Sequence, residues 1–191
     1  MNQASQYLLT LAKKSIQAYI AHPQAKAAMI TGSTATGQAD AYSDVEMFIY
    51  YDQLPPKEEL QLARQQNQGS EPILTFGDRN EGHFGEFYFI DGVEFQIGNL
   101  TIAFWEQEMA VVLPELDVTS LLQKALSEML ECIPVYGEEL IKQWQRQISD
   151  YPDALTRAMV EHYLSFFTIW KVKQSLERQQ HIWKPITEEN K

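Results

Sequence analysis

The sequence predicts an α+β chain, with a mixed α/β first half followed by an all-α second half. Three observations carry this. Two short apolar runs, Ala25 to Thr31 and Val45 to Tyr51, have the length and side-chain types of strands. Phe87 to Ile90 and Val93 to Ile97 flank Asp91-Gly92, the dipeptide favoured in tight hairpin turns. After Asn99 the apolar residues recur at helical spacing almost to the end.

Taken in order, Ala4 to Ala21 reads as an amphipathic helix, with Tyr7, Leu8, Leu11, Ile16, Tyr19 and Ile20 on one stripe. Ser5 is the expected cap, and Pro23 stops the helix beyond His22. The first strand, Ala25 to Thr31, runs into a polar loop from Gly32 to Ser43, and Val45 to Tyr51 is the second strand. Pro55-Pro56 opens a helix containing Leu60 and Ala63, since proline is tolerated in a first turn. Ile73 to Phe76 reads as a short strand, Asp78 to Gly85 as a loop, and the hairpin follows. Helices are expected over Thr101 to Val112, Leu116 to Leu130, Glu138 to Ser149 and Ala154 to about Arg178. Pro114 ends the first, and Cys132 to Gly137 reads as a connector. The expected units are therefore 1–114 and 115–191.

Composition narrows the function classes. The 191 residues are 45% hydrophobic and 12% aromatic, enough for a packed core. A net charge of −11 argues against general nucleic-acid binding, which needs a basic footprint. Cys132 is the only cysteine, so an intrachain disulfide is excluded and a reducing cytoplasm is the expected compartment. No stretch has the apolar length of a signal core or a membrane span, so no membrane partner is expected.

The chemistry concentrates between Thr31 and Glu46, which read TGSTATGQADAYSDVE. Asp44 and Glu46 lie two apart, so on a strand both carboxylates leave the same face. Val45, Met47 and Ile49 then face a core. Two adjacent carboxylates repel unless something positive lies between them. A hard divalent cation such as Mg²⁺ suits such oxygen ligands. On the second hairpin strand Glu94 and Gln96 share one face, and Val93, Phe95 and Ile97 the other.

Gly-Ser, a short loop and Ser-Asp-x-Glu resemble the signature of the DNA polymerase beta-like nucleotidyltransferases, most closely the small bacterial ones similar to the antibiotic and minimal nucleotidyltransferases. The resemblance covers roughly the first half of the chain. It implies a mixed sheet with flanking helices and an appended C-terminal helical bundle. It also implies a metal-dependent transfer of an NMP group from ATP or another NTP to a hydroxyl-bearing acceptor, a small molecule such as an antibiotic or a protein. Gly32 and Ser33 would hold the nucleotide. Asp44, Glu46 and a third carboxylate, for which Glu94 is the candidate, would be catalytic and bind two Mg²⁺ ions. Two residues depart from the pattern. Thr36 stands where the family often has arginine, and Glu46 where it usually has aspartate. These departures support an alternative: a catalytically weakened nucleotide-binding or interaction module on the same fold.

Each feature has a plainer reading. Gly32-Ser33 could be an ordinary turn. Asp44 and Glu46 could be the solvated face of an edge strand, and Glu94 the exposed side of a hairpin. Lys57, Arg79, Lys171 and Lys173 are cations near or after the motif, without a pattern assigning any of them to a triphosphate. His83 reads as an incidental loop histidine. Arg157 and His162 show the Arg-x4-His spacing of HEPN ribonucleases, which a helix surface also explains. Tyr163, Phe166, Phe167 and Trp170 form an aromatic stripe, the expected place for core packing, a homo-oligomer or a partner.

Overall fold

The computed structural model describes residues 1–115 and 123–149, together with Arg157, Val160, Glu161 and Leu164. The helix expected from Ala4 to Ala21 is two pieces, α1 (Gln3–Ser15) and α2 (Gln17–Ile20). Its cap is Asn2 rather than Ser5: the Asn2 Oδ1 accepts from the Ser5 N–H at 2.8 Å. Ser5 is buried and its hydroxyl accepts from the Ala39 N–H at 3.0 Å, pinning the polar loop.

Strand β1 (Ala25–Thr31) is followed by a one-turn helix, α3 (Gly32–Thr36), where the sequence reads as loop throughout. Strand β2 (Val45–Tyr51) and helix α4 (Lys57–Gln66) come next. Strands β3 (Leu74–Phe76), β4 (His83–Ile90) and β5 (Val93–Thr101) complete the first half. At the β4–β5 turn Asp91 and Gly92 have φ of 50° and 80°. Both central residues are thus left-handed, as the Asp-Gly turn signal requires. Helices α5 (Ile102–Glu115) and α6 (Gln123–Leu130), strand β6 (Ile133–Tyr136) and helix α7 (Glu138–Ile148) follow. The sequence reads β6 as a connector. It is an edge strand, which tolerates Pro134 because one side of its ladder is open.

The six strands form one mixed sheet in the order β3-β4-β5-β2-β1-β6. Strands β2 and β5 run parallel, and every other neighbouring pair is antiparallel. Fold class is therefore α+β, a mixed sheet with flanking helices. One face carries Ala28, Ile30, Val45, Met47, Ile49, Phe95 and Ile97, packed with residues of α1, α2 and α4. The other carries Ala27, Met29, Tyr50 and Leu100 against residues of α5, α6 and α7. Tyr50 anchors that second core, with its ring centroid 5.5 Å from Trp105 and 4.7 Å from Trp144. Each fully buried aromatic of this size contributes roughly 2–3 kcal/mol. Helices α6 and α7 pack on β1, so residues after the expected boundary at 114 join the same sheet. Most of the expected bundle lies outside the described residues. That holds for most of the helix from Ala154, of which Arg157, Val160, Glu161 and Leu164 are described and helical, and for its aromatic stripe, His162, Lys171 and Lys173.

The first face also carries a buried ion pair. Arg64 Nη1 lies 2.6 Å from Glu86 Oε2, with side chains 7% and 2% exposed. Burial pushes the Glu86 carboxyl above its usual range, and the Arg64 guanidinium pulls it back. Beside them the Tyr19 and Tyr88 hydroxyls share a hydrogen bond of 2.7 Å.

Candidate functional site

The site is built at the end of β1 and the start of β2. Antiparallel pairing sets Thr31 opposite Glu46. Parallel pairing sets Val45 opposite Phe95 and Glu46 opposite Gln96. Cross-strand partners share a face, so Thr31, Glu46 and Gln96 emerge together. Asp44 and Glu94, each one residue before the first β2–β5 pair, emerge on the same side. Their side chains meet through Gln96. Its Nε2 donates to Asp44 Oδ2 at 2.7 Å and to Glu94 Oε1 at 3.0 Å. Glu94 thus lies on the face of Asp44 and Glu46, not on the opposite one.

Gly32 is held close to this cluster. Its φ is +66°, the left-handed region that glycine enters at little cost. A Cβ there would collide with Glu46 Oε2, so the glycine's bare α-carbon is what lets the carboxylate lie against the turn. Ser33 sits in the first turn of α3, where backbone N–H groups have no intrahelical partner. Thr34 ties α3 to the motif by donating its hydroxyl to the Asp44 carbonyl at 3.2 Å. The Thr36 side chain turns back and donates to the Gly32 carbonyl at 3.3 Å.

Two contributors escape the sequence reading. Gln96 is a neutral side chain on a strand, and only the β2–β5 register makes it a bridge. Glu128 comes from α6, and its Oε2 accepts from the Thr31 hydroxyl at 3.2 Å. It adds a further carboxylate to the rim.

The cations near the motif in sequence do not belong to it in space. Arg79 lines a cleft with Asp52, Gln53 and Thr101, at the far ends of β2 and β5, and donates to the Pro55 carbonyl. Lys57 opens α4 beyond that same end. Strand β2 is 7 residues long, so roughly 20 Å separates these ends. His83 opens β4, its ring stacked on Phe104 at 4.4 Å, with Nε2 accepting from the Asp78 N–H at 3.2 Å. Cys132 is half-buried, and burial pushes its thiol up to about 11, which leaves it an unreactive thiol.

Asp44 and Glu46 are the carboxylates that could hold a Mg²⁺ ion, which commonly takes one or two carboxylates and fills its shell with other oxygens. The three-carboxylate, two-metal arrangement is a different matter. Among the described residues no group of three or more His, Cys, Asp and Glu is gathered tightly enough to hold a metal ion. The Gln96 amide stands between Asp44 and Glu94 instead.

No family model matches the chain, and no curated protein does. A solved structure, a nucleotidyltransferase-like protein from Exiguobacterium sibiricum, is similar with a TM-score of 0.45 and 8% identity. The likeness covers 76% of this chain and 40% of that one, so the chain spans well under half of that protein's length. No helix among the described residues is long and apolar enough to cross a membrane.

Proposed function

We propose that the chain moves an NMP group from an NTP to a hydroxyl-bearing acceptor. One observation supports the reading above the others: Asp44, Glu46 and Glu94 share a face beside a turn whose glycine is packed by the Glu46 carboxylate. Gly32 and Ser33 bind the phosphates through backbone N–H groups. Asp44 and Glu46 hold the nucleotide's Mg²⁺, which when bound neutralises phosphate charge. Glu94, one oxygen held by Gln96, takes the proton of the acceptor hydroxyl with the other. The acceptor oxygen forms a bond to the α-phosphorus, the bond to the β-phosphate oxygen breaks, and pyrophosphate leaves.

A second reading, a nucleotide-binding or interaction module without transfer, is favoured by Gln96. Its amide already satisfies one oxygen each of Asp44 and Glu94 without a cation. Calorimetry with Mg²⁺ and an NTP, on wild type and Asp44→Ala, tests what the readings share. Binding in wild type that disappears in the variant is the expected result, and equal affinity overturns both. Incorporation of labelled NTP into a panel of hydroxyl acceptors then separates them.

A further inference from the structure

The same sheet face continues past the carboxylates into an open aromatic surface. Pairing sets Phe89 opposite Glu94, Phe87 opposite Gln96 and Leu74 opposite Phe87, so all of these leave the face that holds the site. Leu74, Phe76 and Phe89 are 51%, 45% and 38% exposed, although residues of these types are ordinarily buried. The surface is shaped rather than ragged. Phe76 lies across Gly85, where any Cβ would strike its ring, and packs on Phe87 at 5.4 Å in an edge-to-face pair. The rings therefore make a low shelf, ending at Phe89 and Glu94.

The charge at that end is negative. Asp44 and Glu94 each give one oxygen to Gln96, and among the described residues their remaining oxygens make no hydrogen bond or ion pair. The cations nearest in sequence, Lys57 and Arg79, belong to the other end of the strands. An apolar shelf bounded by open carboxylates complements a ligand with a flat ring at one end and a positive charge at the other. Cross-strand Cβ atoms lie about 5 Å apart, so a one- or two-atom linker spans ring to charge.

We propose that the Leu74–Phe76–Phe87–Phe89 shelf binds the aromatic ring of a small cationic molecule whose ammonium lies against Glu94. As a binding site the shelf does not rest on the transfer reading above.

The test uses three matched probes with the whole chain: 1-naphthylmethylammonium, 1-naphthalenemethanol and 1-naphthalenesulfonate. Binding is read by probe fluorescence and calorimetry without nucleotide. The ammonium should saturate one site and bind roughly tenfold tighter than the alcohol, with added salt weakening it and the sulfonate excluded. Phe89→Ser and Glu94→Gln should each lower its affinity roughly tenfold, and since both side chains reach solvent, both variants stay folded, as a cooperative melting transition checks. Equal binding of all three probes, or wild-type affinity in Phe89→Ser, overturns the proposal. So does a dimer in sedimentation that Phe89→Ser makes monomeric without any ammonium binding, because a second copy then owns the shelf. Mg²⁺–NTP binding measured in parallel keeps the two readings apart. Its absence with ammonium binding intact sinks both nucleotide readings and leaves the shelf, and the reverse sinks only the shelf.

Discussion

The two faces of the sheet treat charge in opposite ways. On one face Glu86 is buried, and Arg64 meets it at 2.6 Å. On the other, Asp44, Glu46 and Glu94 share one end of the face, each half-exposed, with a neutral amide joining Asp44 to Glu94. A buried carboxylate must have a charged partner, because its desolvation is otherwise too costly. A half-exposed cluster keeps its hydration, and its cost is only mutual repulsion screened by water. The first arrangement serves the fold. The second gives up a little stability and leaves open oxygens at a sheet end, which is where a ligand can use them.

The largest expected effect comes from breaking the first arrangement. Arg64→Ala leaves the buried Glu86 carboxyl without its cationic partner, and should cost about 3–5 kcal/mol in urea unfolding. Replacing both, as Arg64→Met with Glu86→Leu, should recover most of that loss, because an apolar pair of similar volume has no charge to desolvate. A double variant as unstable as the single would mean that the tyrosine pair Tyr19–Tyr88 beside them depends on the charges. The contrast between the faces would then be weaker than drawn.

A medium effect separates backbone strain from site geometry. Gly32 and Gly92 both have positive φ, at +66° and +80°, but their surroundings differ. A Cβ at Gly92 meets nothing within 4 Å, whereas one at Gly32 meets the Glu46 carboxylate. Gly92→Ala should lose about 1 kcal/mol from strain alone. Gly32→Ala should lose that and more, and should weaken Mg²⁺–NTP binding, which Gly92→Ala leaves unchanged. Equal effects of both on stability and binding would show that the approach of Glu46 to the turn has no consequence.

How much of this was legible in the sequence follows from the range of each interaction. Strand faces were legible, since alternation places Asp44 with Glu46 and Glu94 with Gln96 without any tertiary knowledge. The β4–β5 turn was legible because Asp91-Gly92 specifies its own backbone. What joined the pairs was not. Gln96 bridges Asp44 and Glu94 only through a parallel register between strands about 50 residues apart in sequence, which no local pattern encodes. Glu128 reaches Thr31 across 97 positions by the packing of α6. Strand β6 hid behind Pro134 and its length of 4 residues, and α3 behind Gly32, Thr34 and Thr36, which are weak helix formers. Ser5 was misassigned as a cap because Asn2, an equally good one, lay three residues before it and Ser5 was needed in the core. The placing of Lys57 and Arg79 at the end of the strands away from Asp44 and Glu46 is likewise a fact of strand direction, not of sequence.

The smallest expected effect has the most informative sign. Asp44→Asn keeps the shape of the side chain and an oxygen that still accepts from the Gln96 amide, and it leaves the Thr34 bond to the Asp44 carbonyl untouched. What it removes is one negative charge from beside Glu46 and Glu94. Removal of repulsion between half-exposed like charges should raise stability by about 0.5–1 kcal/mol at low salt, and by less at high salt as screening takes over. The same change should abolish Mg²⁺–NTP binding, since the cation loses a ligand. Urea unfolding at two salt concentrations, with calorimetry on the same samples, reads both. Higher stability with lost binding is the pattern of a charge kept for a ligand. Lower stability, independent of salt, would instead make the Asp44 charge a structural acceptor for Gln96, and the two faces of the sheet would then differ only in how deeply their charges are buried.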